Sequence, residues 1–358
     1  MSNTLTPSPA LPQMKGTFGG GRTPPQPAPI LLGFDIGGTK TAAVIGTAAG
    51  EILARAETPT PAAEPFEAAF QQMVTLADGL LASENVSPQS ISAAVGGPLD
   101  IERGIIYSPP HLPTWVNAPL KDRLAEHYHL PVFVEHDGNA GALAEWYFGA
   151  GRGTQNMIYM TAGTGLGAGL ILNGRIYRGS TDTAGEIGHI RLAEDGPLEY
   201  GKAGSWEGYC SGAGLVKLAH LRQPQRWPEG DARSASATTR DIVTLAQKGD
   251  PDAVRLVTEM GTWLGRGLAV LVDILNPQVI VVGTLGVVLG DLLLAPAREV
   301  LRQEALAVAV NACRVVPAEL GDRLSSLSAL MAAIDTYHRE KDKGDKHNGT
   351  IPATEEQK

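Results

Sequence analysis

The chain has 358 residues, a length typical of two domains of about 150 to 180 residues each. Its 38 acidic residues outnumber its 29 basic residues, and the net charge of −9 argues against a nucleic-acid or anionic-membrane partner. Cys210 and Cys313 are too few for a disulfide framework, no apolar run is long enough to span a bilayer, and no signal peptide is recognisable. We therefore expect a cytoplasmic enzyme that acts on a small molecule.

Both ends of the chain are predicted to be disordered tails. Residues 1–29 are rich in Pro, Gly, Ser and Thr without an apolar period, and residues 338–358 are charged and polar. The predicted folded core therefore runs from about residue 30 to about residue 337.

The first half of the core begins with three strands joined by tight turns, which predict an antiparallel meander. Helical periodicity and apolar runs then alternate. The predicted elements are strands at 30–36, 41–46 and 52–58, a helix at 64–83, a strand at 91–95, a helix at 120–128, a strand at 132–135 and a helix at 140–148.

The second half repeats this order, with an Asn173-Gly174 hairpin turn in its meander. Its predicted elements are strands at 157–162, 168–172 and 175–177, a helix at 252–275, a strand at 279–282, a helix at 292–305, a strand at 314–317 and a helix at 324–337. Two similar halves predict an internally duplicated α/β protein with a ligand cleft between them.

The first glycine motif, Asp35-Ile-Gly-Gly-Thr-Lys40, lies where the first strand turns into the second. Glycines allow close approach to a phosphate, and consecutive N–H groups form an anion-binding nest. Thr39 adds a hydroxyl group, Lys40 adds a positive charge, and Asp35 could hold a metal ion through water. By itself the motif fits equally well an ordinary hairpin with a solvated lysine.

The second glycine motif spans residues 161–169 (TAGTGLGAG), and Glu186 lies at the distance expected for a dinucleotide-binding fingerprint. Such a fingerprint must lead into a helix, whereas residues 170–177 here predict a hairpin. The motif therefore indicates a second strand–turn–strand phosphate site.

Between these motifs, Glu135-His-Asp-Gly-Asn139 joins a predicted strand to a predicted helix. A carboxylate between two phosphate loops can accept a hydroxyl proton during phosphoryl transfer, which makes Asp137 the candidate base. The alternative is that Asp137 only caps the following helix.

The order of these motifs resembles the actin-like sugar kinases, and most closely the ROK family of bacterial sugar kinases and sugar-responsive repressors. Four segments match or resemble the family's motifs: 35–40, 136–139, 161–169 and Gly185-Glu-Ile-Gly-His189. The resemblance covers residues 30–337. It implies an α/β, actin-like (ribonuclease H-like) duplicated two-domain fold with a central cleft, in which residues 30–134 with the helix 321–337 form the small domain and residues 135–320 the large domain.

The resemblance also implies an ATP-dependent hexose or N-acetylhexosamine kinase, in which Asp137 takes the proton from the sugar hydroxyl, usually the 6-OH. It implies Mg²⁺ with ATP, with Asp35 near the ion, and a homodimer. The nucleotide phosphates would be bound by Gly37, Gly38, Thr39, Lys40, Thr161, Gly163, Thr164 and Gly165, with Gly283 also in the nucleotide site. The sugar would be bound by Gly97, Pro98, His111, His136, Asn139, Glu186, His189 and Glu207.

The sequence departs from the family at its usual zinc site. Leu198, Tyr200 and Ser205 stand where the family commonly has three cysteines that bind zinc together with the motif histidine, here His189. Zinc needs about four nitrogen, sulfur or oxygen ligands, so we predict no structural zinc.

Other departures concern the substrate sites. His136 and His111 stand where many members have asparagine, so the identity of the sugar stays open. Thr284 stands where the family usually has a glycine near the adenosine, and the segment 320–325 lacks the usual small residues.

Two alternatives to a kinase therefore remain, a sugar-sensing repressor and a sugar-binding protein that has lost catalysis. Against the repressor, residues 1–29 are too short for a helix-turn-helix domain. Against the decayed protein, Asp137, Lys40 and both glycine loops are present.

Overall fold

The computed structural model describes residues 28–228 and 237–348. Residues 1–27 and 349–358, which belong to the predicted tails, lie outside the described residues. In chain order, the first half contains β1 (Ile30–Ile36), β2 (Lys40–Thr47), β3 (Ile52–Pro59), α1 (Phe66–Glu84), β4 (Ser90–Val95), β5 (Leu99–Asp100), β6 (Ile105–Tyr107), β7 (Val116–Pro119), α2 (Leu120–Tyr128), β8 (Val132–His136) and α3 (Asp137–Phe148).

The second half, like the first, begins with three consecutive strands. It contains β9 (Met157–Ala162), β10 (Leu166–Leu172), β11 (Arg175–Tyr177), a 3₁₀ turn (Ile187–His189), β12 (Leu198–Glu199), β13 (Lys202–Ala203), α4 (Trp206–Cys210), α5 (Gly212–Arg222), α6 (Thr239–Gln247), α7 (Pro251–Leu275), β14 (Val279–Val282), α8 (Leu285–Leu289), α9 (Asp291–Glu304), α10 (Ala307–Ala312), β15 (Arg314–Pro317) and α11 (Arg323–Asn348).

Two five-stranded sheets share one topology. The first sheet has the strand order β3-β2-β1-β4-β8, and the second has the order β11-β10-β9-β14-β15. In each sheet the three meander strands pair antiparallel, whereas the strands added on the far side pair parallel. This common pattern confirms the internal duplication predicted from the sequence.

Helices α3 and α11 lie between the two sheets. Alternate residues of β1 point to opposite faces: Phe34 packs in a core with α1 and α2, whereas Leu31 packs in a core with α3 and α11. The second core also includes residues of β9, β10 and β14, so it joins both sheets. A third core packs the far face of the second sheet against α4–α9. The carboxyl ends of the parallel strands are thereby fixed by buried apolar contacts on both faces of each sheet.

The structure differs from the predicted elements in three respects. Strands β5–β7 form a small separate sheet and β12–β13 form a short hairpin, neither of which was predicted. Helices α4–α6 lie in a region for which the sequence predicted no elements, and the short helices α8 and α10 were not predicted either. The final helix continues to Asn348, so residues 338–348, predicted as disordered, are helical.

Local contacts account for the longer final helix. The His338 ring stacks on Tyr147 with ring centroids 5.2 Å apart, and its Nε2 lies 3.2 Å from the carbonyl oxygen of Ala48. Arg339 pairs with Asp335 one turn earlier. Across the two described stretches of the chain, none of the helices is both long and apolar enough to cross a membrane. The division into domains at residues 134 and 135 stays a prediction.

Candidate active site at the ends of the two sheets

The first glycine turn connects β1 to β2. The Gly37 amide donates a hydrogen bond of 3.0 Å to the carbonyl of Lys40. A Cβ atom on Gly38 would lie only 2.7 Å from Cβ of His111, so glycine is what allows His111 to approach the turn. The first turn and His111, both predicted site residues, therefore lie together.

Asp35 lies at the end of β1, beside this turn. Its Oδ2 accepts a hydrogen bond from the hydroxyl of Ser325 at the start of α11. Burial raises the pKa of Asp35 above its usual value, although the Ser325 hydrogen bond and the charge of Arg55 oppose this effect. The charge of Asp137 raises the pKa further, so the two predicted carboxylates lie near enough to repel each other.

Lys40 is exposed and forms an ion pair with Glu57, with 3.1 Å between Nζ and Oε2. Arg55, which the sequence analysis missed, donates hydrogen bonds of 3.2 and 3.1 Å to the hydroxyls of Ser325 and Ser326. Because Arg55 and Ser325 are 270 residues apart, no local sequence pattern indicates this network.

The second glycine turn connects β9 to β10 and is anchored from outside. The Gly163 carbonyl accepts a hydrogen bond of 2.7 Å from the amide of Gly212, at the start of α5. Oε2 of Glu207 accepts one of 2.8 Å from the amide of Leu166. The Thr161 hydroxyl accepts one of 3.2 Å from the Gly167 amide. Glu207, predicted to bind sugar, is therefore engaged with the second turn.

Gly283 and Thr284 follow β14 beside the second turn. The Gly283 amide donates a hydrogen bond of 2.8 Å to the carbonyl of Met160. Thr284 has a φ of 43° and a ψ of −94°, a backbone conformation that is strained for a β-branched residue. It lies close to Gly163, since a Cβ built there would be 3.7 Å from the Thr284 hydroxyl. Thr284 thus lies beside the second glycine turn, and its effect on a nucleotide stays a prediction.

Asp137 begins α3, where β8 ends. Its Oδ1 accepts a hydrogen bond of 2.6 Å from the amide of Gly138. The same amide lies 3.2 Å from Nδ1 of His136, the residue that caps the helix. The N-terminal end of a helix favours a nearby negative charge, and Asp137 lies at that end of α3. Its side chain remains 56% exposed and is open to a ligand.

Strand β10 packs tightly against the start of α3. A Cβ atom on Gly169 would lie 2.6 Å from the carbonyl oxygen of Gly138, which makes glycine necessary there. The strand that follows the second turn thus runs directly past the residue after Asp137.

A cavity of about 330 Å³ lies beside His136. This volume is in the range typical of small-molecule sites. Five of the eight predicted sugar-binding residues line this cavity: Gly97, Pro98, His136, Glu186 and His189. Its lining also includes Tyr200 and Asp182, which were not predicted to bind sugar.

Three predicted sugar-binding residues do not line this cavity. His111 lies against the first glycine turn, where burial lowers its pKa more than the nearby Asp137 carboxylate raises it. Asn139 is buried and donates a hydrogen bond of 2.9 Å to Glu135, while its Oδ1 has no partner among the described atoms. Glu207 accepts its hydrogen bond from the Leu166 amide in the second glycine turn.

Glu135 also forms a buried ion pair with Arg178, from the end of the second meander. The Glu135 side chain is 1% exposed, and its Oε1 also accepts a hydrogen bond from its neighbour's backbone, the amide of His136. This pair connects the strand that carries Asp137 to the second half of the chain. The sequence analysis did not identify it.

The residues at the family's usual zinc position do not fit zinc. Leu198 has no ligand atom and is 62% exposed, and the Ser205 hydroxyl accepts a hydrogen bond from Gly208 as the cap of α4. Cys210 is buried, and its Sγ lies 3.5 Å from the carbonyl of Met260. Over residues 28–228 and 237–348, no cluster of three or more His, Cys, Asp or Glu side chains could hold a metal ion.

Comparison with known proteins identifies similar sequences and structures. Residues 31–336 match the ROK family. The chain is 36% identical to the glucokinase of Streptomyces coelicolor over 278 residues, covering 75% of this chain and 86% of that protein. It is 29% identical to the xylose repressor of Bacillus subtilis over 248 residues, covering 69% of this chain and 61% of the repressor.

A solved structure shows the same fold. The ROK family glucokinase from Streptomyces griseus, in complex with glucose and AMPPNP, has a TM-score of 0.70 and 34% identity to this chain. The match covers 85% of this chain and 99% of that chain. The predicted fold class, the duplicated actin-like α/β fold, is thereby confirmed.

Proposed function

The chain belongs to the ROK family. We propose that it is an ATP-dependent kinase that phosphorylates the 6-OH of a hexose or N-acetylhexosamine. The observation that supports this proposal most directly is the 330 Å³ cavity lined by His136, Glu186 and His189. His136 is the residue before Asp137, so this cavity lies beside the proposed base. Hydrogen-bonding side chains of this kind suit the hydroxyl groups of a sugar ring.

In this proposal Asp137 is the general base. Its carboxylate accepts the proton of the sugar hydroxyl as that oxygen attacks the γ-phosphorus of ATP, the bond from this phosphorus to the bridging oxygen breaks, and ADP leaves. The hydrogen bond from the Gly138 amide fixes the position of this carboxylate at the start of α3. Phosphoryl transfer depends mainly on positioning and on neutralising charge, which are tasks for the surrounding turns.

The two glycine turns would hold the phosphates of ATP. The residues proposed for this role are Gly37, Gly38, Thr39, Lys40, Thr161, Gly163, Thr164 and Gly165, with Gly283 beside the nucleoside. The anchoring of the second turn by Gly212 and Glu207 supports a rigid nucleotide site. Lys40 would have to leave Glu57 to reach a phosphate, which a flexible exposed side chain can do.

Asp35 fits the role proposed for it toward Mg²⁺. Its Oδ2 is bound by Ser325, while Oδ1 has no hydrogen-bond partner among residues 28–228 and 237–348. Mg²⁺ is usually held by one or two carboxylates together with substrate phosphates, so a larger cluster of protein ligands is not required. The ion would supply positive charge to the transferring phosphoryl group, and Asp35 would orient it.

Two further expectations are part of the proposal, a homodimer and a cytoplasmic location. The division into a small domain (30–134 with 321–337) and a large domain (135–320) is also proposed, with the active site between them.

A sugar-responsive regulator is the second candidate, because the chain resembles the Bacillus subtilis xylose repressor. Sugar-dependent ADP release decides between the two. We expect ADP release with Mg-ATP and at least one sugar from a panel of hexoses, pentoses and N-acetylhexosamines. Sugar binding measured by calorimetry, with no ADP released for any sugar, would favour the regulator or a decayed kinase and would overturn the proposed activity.

A further inference from the structure

The ring of Tyr200 stacks directly on the ring of His189. The two ring centroids are 3.6 Å apart and the planes differ by 20°, so the rings are in face-to-face contact. Both side chains line the 330 Å³ cavity. Oε2 of Glu186 lies 4.0 Å from Nε2 of His189. The histidine ring therefore has an aromatic ring against its face and a carboxylate near its Nε2 atom.

Tyr200 occupies a position where its side chain is not needed by the fold. Strands β12 and β13 pair in the register Glu199 with Lys202, which leaves Tyr200 and Gly201 as a two-residue turn. Their φ angles are 52° and 69°, the left-handed pair of a type I′ hairpin turn, in which Asn-Gly is the preferred sequence. Tyr200 is also 45% exposed, so it contributes little to the core. A tyrosine here costs backbone strain that an asparagine would avoid.

The hydroxyl of Tyr200 lies among carboxylates. Burial raises the pKa of this hydroxyl, and the nearby carboxylates of Glu207, Glu186 and Glu199 raise it further. The hydroxyl therefore stays protonated beside Glu207, which itself holds the second glycine turn through Leu166. Tyr200 thus stacks on a predicted sugar ligand with its ring and lies beside the anchor of the second glycine turn.

We propose that Tyr200 is a positioning residue for sugar binding, because its stacking orients the His189 ring toward the sugar. In this role Tyr200 would replace the zinc ion that binds the equivalent histidine in metal-containing relatives. The inference rests on the proposed function, because it assigns the residue that prepares its sugar site. It follows from the observation that the residues at this position cannot bind zinc. Tyr200, which stands where the family commonly has a cysteine ligand, contacts the same histidine that would bind the metal.

The discriminating substitution is Tyr200→Asn, compared with Tyr200→Phe. Asparagine suits the turn, so we expect the Tm to be unchanged or higher, whereas the stacking is lost. We expect the sugar KM and the sugar Kd to rise about tenfold, the scale of one lost hydrogen-bonding contact, with kcat changed much less. Tyr200→Phe keeps the ring and should retain most of the sugar affinity. Tyr177→Asn, at a tyrosine that is 50% exposed and does not line the cavity, is the control.

Two further measurements separate positioning from other roles. In the NMR spectrum of the free protein, the Cε1–H signal of His189 should carry a ring-current shift that disappears in Tyr200→Asn and persists in Tyr200→Phe. In a double-mutant cycle, Tyr200→Asn should have little further effect on sugar Kd in the His189→Ala background. Full additivity in that cycle would overturn the proposal, because Tyr200 would then act independently of His189.

Sugar binding itself, read as the rise in Tm that a sugar produces without ATP, distinguishes this inference from the proposed function. If wild-type protein shows no such rise with any sugar of the panel, the proposed function is wrong and the sugar role of Tyr200 is wrong with it. If the wild type shows the rise and Tyr200→Asn shows it in full, the proposed function stands and this inference is wrong.

Discussion

The two sheets have the same topology, yet their equivalent positions have different chemistry. Asp35 is the next-to-last residue of β1, and Thr161 is the next-to-last residue of β9. Asp137 follows the last strand of the first sheet, and Ala318 follows the last strand of the second. In each pair the first sheet has a carboxylate and the second has a neutral residue.

The glycine turns differ in a related way. The first turn is closed by its own hydrogen bond from Gly37 to Lys40, and the side chains beside it are charged. The second turn also has a hydrogen bond of its own, from the Gly163 amide to the Gly165 carbonyl, and it is held in addition from outside by Glu207 and Gly212. The two sheets therefore share one framework, in which the first sheet has carboxylates at the compared strand ends and the second sheet has neutral residues there. This difference fits the proposal that Asp35 and Asp137 serve phosphoryl transfer while both turns hold the nucleotide.

The largest effect is expected from the pair Asp137 and Ala318. Asp137→Asn removes the proposed base and should lower kcat by at least about 100-fold, the scale of general-base catalysis. Sugar affinity measured by calorimetry should change little, because Asp137 is exposed and its removal opens no core cavity. Ala318→Asn, at the equivalent position of the second sheet, should leave kcat within a fewfold of the wild type. A near-normal kcat in Asp137→Asn would show that Asp137 is not the general base.

Asp35 should show a smaller loss of activity combined with a gain in stability. Asp35→Asn keeps an acceptor for Ser325 but removes the charge proposed to orient Mg²⁺, so kcat should fall about 10- to 100-fold. Because the folded state raises the pKa of Asp35, the native protein binds its proton more tightly than the unfolded chain does. The contribution of Asp35 to the stability of the wild type therefore decreases as the pH rises through the unfolded and then the folded pKa of this carboxyl group.

The pH dependence provides the measurement for Asp35. The free energy of unfolding, followed by denaturant titration between about pH 3 and pH 8, should be similar for wild type and Asp35→Asn at the acid end, where Asp35 is neutral in both states. Above that, Asp35→Asn should be the more stable protein. Thr161→Val, the matched change in the second sheet, leaves the Gly167 amide without its partner and should destabilise by about 1 kcal/mol without this pH trend. An advantage of Asp35→Asn that did not grow with pH would contradict the raised pKa.

The sequence predicts those parts of the site that short segments determine. The buried apolar runs of β1, β4, β9 and β14 were identifiable from their composition, and the glycines between paired strands located both turns. The sequence could not predict contacts between distant residues, such as Arg178 with Glu135 or Ser325 with Asp35, because nothing local links such partners. The stacking of Tyr200 on His189 was missed for a different reason. The absent cysteines were evident, but the contact that replaces them depends on the geometry of a two-residue turn.

Thr284 should show the smallest effect, and its sign is the informative result. Its equivalent in the first sheet is Gly97, since each is the second residue after the inner parallel strand of its sheet. Thr284→Gly removes the strain of a β-branched residue at a φ of 43°. This strain exceeds the entropic cost of a more flexible unfolded chain, so we expect the free energy of unfolding to increase by about 1 kcal/mol. The ATP KM should stay the same or fall, because the exposed side chain next to Gly163 is removed.

The control for Thr284 is the same substitution in an ordinary helix. Thr258 is exposed in α7, and its hydroxyl donates to the carbonyl of Val254, so Thr258→Gly should destabilise by roughly 0.5 kcal/mol through loss of helix propensity. Thermal unfolding of both variants measures the contrast. If Thr284→Gly were destabilised like Thr258→Gly, the turn after β14 would not be strained, and the second sheet would tolerate a side chain where the first sheet has glycine.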